Sequence, residues 1–122
     1  MSKVTPILTM TIPMRTYSPN GSHMHWAKKA KRAKEQRSVV ALMLRSKCPH
    51  TGRFGWGPPY VITLTRISPR KLDDDNLRGA LKACRDGVAD WLGIDDGSEL
   101  LTWHYLQTTG AYAVGVVVEP RW

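Results

Sequence analysis

Leu77, Leu81, Cys84, Val88 and Trp91 recur at spacings of four, three, four and three. That period suits only an α-helix with one apolar face, so residues 76 to 91 are predicted to be a helix packed on a core. The segments around it carry the other period. Residues 7 to 12 alternate, with Leu8, Met10 and Ile12 on one side, and Pro13 closes the run. Residues 60 to 67, 100 to 108 and 111 to 119 also read as strands, the last two joined by a turn at Gly110. Residues 25 to 47 hold no Gly or Pro and form a second helix, with Ala27, Ala30, Ala33, Val40, Ala41 and Leu44 as a narrow apolar stripe. The predicted order is β-α-β-α-β-β, an α/β (α+β) fold with a mixed sheet and two main helices, as one domain over residues 1–122. Residues 48 to 59, rich in Gly and Pro, are expected to be a loop.

No run approaches about 18 consecutive apolar residues, which excludes a transmembrane helix. The first twelve residues lack the apolar core and cleavage site of a signal peptide, and two cysteines do not make a disulfide framework. The expectation is a reducing, cytoplasmic protein.

Charge is unevenly divided. The net charge is +8, yet eight of the ten acids lie between positions 73 and 99. That window holds only Arg78, Lys82 and Arg85 as bases, a net of −5 within it and +13 outside it. The helix at 25–47 alone carries +7. A pI near 9.9 points to a polyanionic partner. Lys28, Lys29, Lys31, Arg32, Lys34 and Arg37 are the candidate DNA phosphate contacts. A carboxylate cluster would repel that same phosphate unless a cation stood between them.

Asp73, Asp74 and Asp75 follow a strand and open a helix. One carboxylate serves as N-cap and a second gains about 0.3–1 kcal/mol from the helix dipole. Repulsion of about 1 kcal/mol in water for carboxylates about 4 Å apart works against a third. If the segment is extended, Asp73 and Asp75 point the same way and offer two hard oxygen ligands of the kind Mg²⁺ takes beside water and phosphate. Capping and metal binding both stand open on these residues alone. Asp95 and Asp96, in Gly-Ile-Asp-Asp-Gly, form a turn or supply a third ligand. Lys82, two helical turns after Asp75, either neutralises that site or pairs with Asp86 at i,i+4.

Together, Arg70-Lys-Leu-Asp-Asp-Asp-Asn-Leu77, Leu81-Lys-Ala-Cys-Arg-Asp-Gly-Val-Ala89 and Gly93-Ile-Asp-Asp96 resemble the RusA-like family of Holliday-junction resolvases. Asn20 and His25-Trp-Ala-Lys-Lys-Ala-Lys are similar to the basic segment of its phage members. The resemblance spans roughly residues 16 to 110. It implies a homodimeric, Mg²⁺-dependent endonuclease (Mn²⁺ substituting) that nicks symmetric strands of a four-way DNA junction, encoded by a phage or prophage and working in the bacterial cytoplasm. The family's acids match Asp73, Asp75 and Asp96, which would hold the metal. Its catalytic lysine falls at Gly79 here, and the next lysine is Lys82, with Arg78 and Arg85 as further candidates for charge neutralisation. Non-catalytic DNA binding, or metal-dependent cleavage of flaps or RNA, are the competing functions.

Geometry adds an expectation. A helix from Asn76 to Trp91 spans roughly 22 Å. The five residues from Trp91 to Asp96 reach at most about 17 Å. Asp96 therefore falls short of Asp75 within one chain, and sites shared across a two-fold dimer are expected. Among the remaining residues, His23, His25 and Trp26 suggest structural or DNA-contact roles. Cys48 and His50 lack the second pair a zinc site needs. Cys84, Trp103, His104 and Tyr105 read as packing, and Phe54 and Trp56 as loop residues.

Overall fold

The computed structural model describes residues 8–18, 25–48 and 57–121. Asn20, His23, His50, Phe54 and Trp56 lie outside them, as does most of the loop expected at 48–59. The elements are β1 (Leu8–Pro13), α1 (Trp26–Lys47), β2 (Tyr60–Ser68), α2 (Asp74–Leu92), β3 (Leu101–Thr109) and β4 (Ala113–Pro120). The predicted order and the α+β class with two helices and a mixed sheet are as observed.

The sheet order is β1-β4-β2-β3. β4 lies antiparallel between β1 and β2, with Val116 opposite both Met10 and Leu64. β2 and β3 run parallel, with Leu64 opposite Tyr105. Parallel neighbours need a crossover, and α2 is that crossover. Alternate residues of β2 and β4 are buried: Tyr60, Ile62 and Leu64 on one, Val114, Val116 and Val118 on the other. They form one core with Val40 and Leu44 of α1 and Leu77, Leu81, Cys84, Val88 and Trp91 of α2. Burial pushes the Cys84 thiol up to about 12, so it acts as a small apolar side chain.

The boundaries follow local chemistry. His25 caps α1, its Nδ1 accepting from the Ala27 N–H at 3.2 Å. Gly93, at φ +70°, ends α2 in the left-handed conformation and donates to the Ala89 carbonyl at 2.9 Å. The two helices meet at Gly87, where an added Cβ would lie 2.6 Å from the Arg37 carbonyl oxygen and 2.8 Å from the Val40 Cβ.

The stripe predicted along α1 is corrected in its first half. Only Val40, Ala41 and Leu44 are buried, while Ala27, Ala30 and Ala33 are exposed and Trp26 is 74% exposed. Core contact comes from the C-terminal turns, and the lysine-rich turns stand in solvent. His104 is likewise exposed rather than packed, because it faces away from the helices, whereas Trp103 and Tyr105 pack on the core.

Candidate functional site

α2 carries the acidic residues on its rim. Asp73 is its N-cap, with Oδ1 accepting from the Asn76 N–H at 3.1 Å. Asp74 and Asp75 belong to the first helical turn, where the dipole favours negative charge. The extended geometry considered for Asp73–Asp75 is therefore corrected, since the helix starts two residues earlier than predicted. Gln107 of β3 fixes the approach to this turn. Its side-chain amide accepts from the Leu72 N–H at 2.9 Å and donates to the Leu72 carbonyl at 2.6 Å. All three aspartates are exposed.

Two turns further on, Lys82 Nζ donates to Asp86 Oδ1 at 2.8 Å and to Asp96 Oδ2 at 2.9 Å. Lys82 thus makes the i,i+4 pair with Asp86, and it also reaches the second acidic segment at Asp96. Arg85 grips the same residue, with Nε on Asp96 Oδ2 and Nη2 on the Asp96 carbonyl, each at 2.9 Å. Trp103 Nε1 donates to that carbonyl at 2.9 Å, and Arg85 lies over the Trp103 ring at 4.8 Å. Arg85 Nη1 also donates to the Tyr105 hydroxyl at 2.8 Å. The bond from Lys82, helped by its charge and that of Arg85, holds the Asp96 carboxyl below its usual range. Bonds to Asp86 and Asp96 push the Lys82 ammonium up. Asp95 instead accepts from the Gly97 N–H at 3.0 Å and shapes the turn, so Asp96 is the member of the pair that faces α2.

Within one chain Asp96 meets Lys82 and lines a cavity with Arg78 and Gly79, about one turn past Asp75. Lys82 is seven residues past Asp75, about 10 Å along the helix axis. Among the described residues no three Asp, Glu, His or Cys side chains gather around a point where a metal could bind. Carboxylates such as Asp73 and Asp75 are ligands of the kind Mg²⁺ takes with water and phosphate, but the extended geometry that would aim both at one ion is absent here.

The basic face of α1 adjoins this site. A groove of about 550 Å³ runs between the helices, floored by Ala30, Ala33, Gly79 and Ala83 and edged by Lys29, Arg32, Lys34 and Lys82. Arg32 lies 3.6 Å over the Tyr17 ring, which fixes it in place. Lys28, Lys31 and Lys34 are exposed. Arg37 has a different engagement: Nε and Nη2 form a fork on Asp90 at 2.5 and 2.7 Å, clamping α1 to α2. That bond holds the Asp90 carboxyl below its usual range and raises the Arg37 guanidinium.

Sequence reasoning underrated Arg85, Trp103 and Tyr105, which together hold Asp96. The available signal was their position: Trp103 and Tyr105 alternate on the inward side of a strand parallel to β2.

Fold and site together define a two-layer α+β protein with a carboxylate-bearing helix beside a cationic groove. No family model matches the chain. It is 36% identical over 99 residues to an uncharacterized protein of Xylella fastidiosa, an alignment covering 73% of this chain and 59% of that relative. The chain thus spans less than two-thirds of the relative's length. Among the described residues, no helix is long and apolar enough to cross a membrane.

Proposed function

We propose that this chain is a Mg²⁺-dependent endonuclease of branched DNA, a resolvase of four-way junctions similar to the RusA-like family. The observation that carries the reading is the continuity of one helix. α2 presents Asp73 and Asp75 at its start and the Lys82–Asp96 pair two turns later, and the same Lys82 edges the basic groove of α1. A phosphate backbone lying along that groove passes the carboxylates.

In this reading Asp73 and Asp75 hold the metal. A bound Mg²⁺ supplies an activated water and a Lewis acid for the scissile phosphate. Lys82 offers positive charge to the phosphate oxygens as charge develops there. Asp96 and Asp86 orient its ammonium, and Arg85 with Trp103 fixes Asp96. Lys28, Lys31 and Lys34 bind the DNA arms through phosphates, a contact that carries little sequence preference. A two-fold homodimer, as the resemblance implies, would carry two equivalent sites for paired nicks.

The test is cleavage of a synthetic four-way junction with Mg²⁺ or with EDTA, comparing the natural chain with Asp75→Asn. Cleavage that needs the metal and is lost in Asp75→Asn is the expected result. Equal cutting of junction and linear duplex refutes junction specificity. Binding without any cleavage supports the second reading, a non-catalytic DNA-binding protein, which the capping role of Asp73 favours.

A further inference from the structure

A charge is buried at the far end of β2. The inward positions of that strand run Tyr60, Ile62, Leu64 and then Arg66, which is only 5% exposed. Its Nε donates to Thr16 Oγ1 at 2.9 Å, Nη1 to the Arg70 carbonyl at 2.7 Å and Nη2 to Ser68 Oγ at 3.1 Å. All three acceptors are neutral. The described residues include all ten acidic side chains, and none forms an ion pair with Arg66. A guanidinium has five N–H donors and stays protonated in proteins. Three of the five are accounted for here.

Arg66 lines a cavity of about 310 Å³ together with Arg15, Arg70, Tyr17, Tyr112 and Ser68. Arg15 is held between two rings, 4.9 Å from the centroid of Tyr17 and 4.9 Å from that of Tyr112. No Asp or Glu lines the cavity. None of Asp73, Asp75, Lys82 or Asp96 does either, so it is separate from the candidate catalytic site. Three arginines thus line one cavity whose wall holds no Asp or Glu, a setting that favours an anion. A plain structural arginine does not need two more beside it, and an apolar side chain of similar size serves a core as well or better.

We propose that the Arg15–Arg66–Arg70 cavity is a phosphate-binding site. A planar carboxylate is satisfied by one guanidinium fork, whereas a tetrahedral phosphate presents enough oxygens for several. The hydroxyls of Ser68 and Thr16 suit the same ligand. The phosphate belongs to a nucleic-acid strand end, because Leu72, at the cavity edge, adjoins Asp73 at the start of α2. This assignment of source rests on the nuclease reading, while anion binding itself does not.

The experiment is calorimetric titration of the full chain in EDTA with inorganic phosphate, a 5′-phosphorylated oligonucleotide and the same oligonucleotide without its phosphate. Inorganic phosphate is expected to bind the natural chain and to bind the Arg15→Gln/Arg70→Gln variant at least about tenfold more weakly. Arg66→Met is expected to abolish binding. If that variant does not fold, the double variant of two exposed residues carries the test. Asp75→Asn is expected to bind phosphate like the natural chain, which separates failure of this site from failure of the nuclease reading. Tighter binding of the phosphorylated oligonucleotide than of inorganic phosphate supports the strand-end source, and equal affinity overturns that source in favour of a small phosphate ester. No binding of phosphate by the natural chain up to about 10 mM, or undiminished binding by the double variant, overturns the site.

Discussion

Replacing Gly87 with alanine puts a methyl carbon 2.6 Å from the Arg37 carbonyl oxygen, 2.8 Å from the Val40 Cβ and 3.0 Å from the Val40 Cγ1. The first obstacle is backbone, which cannot rotate away, so α1 must move off α2. Overpacking costs about 1–3 kcal/mol, and a backbone obstacle at 2.6 Å puts this site in the upper part of that range, about 2–3 kcal/mol. Alanine recovers about 1 kcal/mol of that, because glycine is the poorer helix former in the interior of α2. The net is a loss of about 1–2 kcal/mol. With an unfolding entropy of about 2.1 cal/mol/K per residue over 122 residues, each kcal/mol moves the Tm by about 4 °C. A drop of about 4–8 °C is therefore expected by calorimetry, with the urea midpoint falling and the slope unchanged. A variant that is equally stable or more stable would refute the close approach of the helices. The same displacement strains the Arg37–Asp90 fork, which joins the helices three residues along α2 from Gly87.

That fork sets a pH dependence. The Arg37 bond depresses the Asp90 carboxyl in the folded state. Its contribution to stability is therefore complete above the unfolded value of about 3.9 and is lost as pH falls through the lower folded value. Acid titration followed by circular dichroism should show the natural chain losing stability more steeply below about pH 4 than Arg37→Gln does. Equal slopes in the two proteins would remove the pair from the account. The exposed lysines of α1 make a separate prediction. Neutralising Lys31 and Lys34 should weaken junction binding and reduce the salt dependence of log K by about two, measured by fluorescence anisotropy across a salt series. An unchanged slope would take those residues off the DNA.

The candidate site was legible as a set of residues and only partly as an arrangement. Asp73, Asp75, Lys82 and Asp96 stand out from sequence because carboxylates are scarce in so basic a chain. The spacing of Lys82 from Asp86 fixes one of its partners, since residues four apart on a helix meet wherever the helix goes. Its second partner, Asp96, lies fourteen residues away and depends on how sharply the chain turns after Gly93. Arg66 was legible in hindsight as the one charge among the inward positions of β2, although alternation alone does not say what closes over it.

Local periodicity determined the six elements, the apolar faces of β2, β4 and α2, and the capping of α2 by Asp73, because these depend on neighbours within a few residues. Tertiary packing decided the rest. It inserted β4 between β1 and β2, left the first half of α1 off the core and turned Arg37 towards Asp90, 53 residues away. It also gathered three arginines from two segments around one cavity. Such pairings depend on the angle and distance at which whole elements meet, and those are set by the fit of side chains across the core rather than by any stretch of sequence alone.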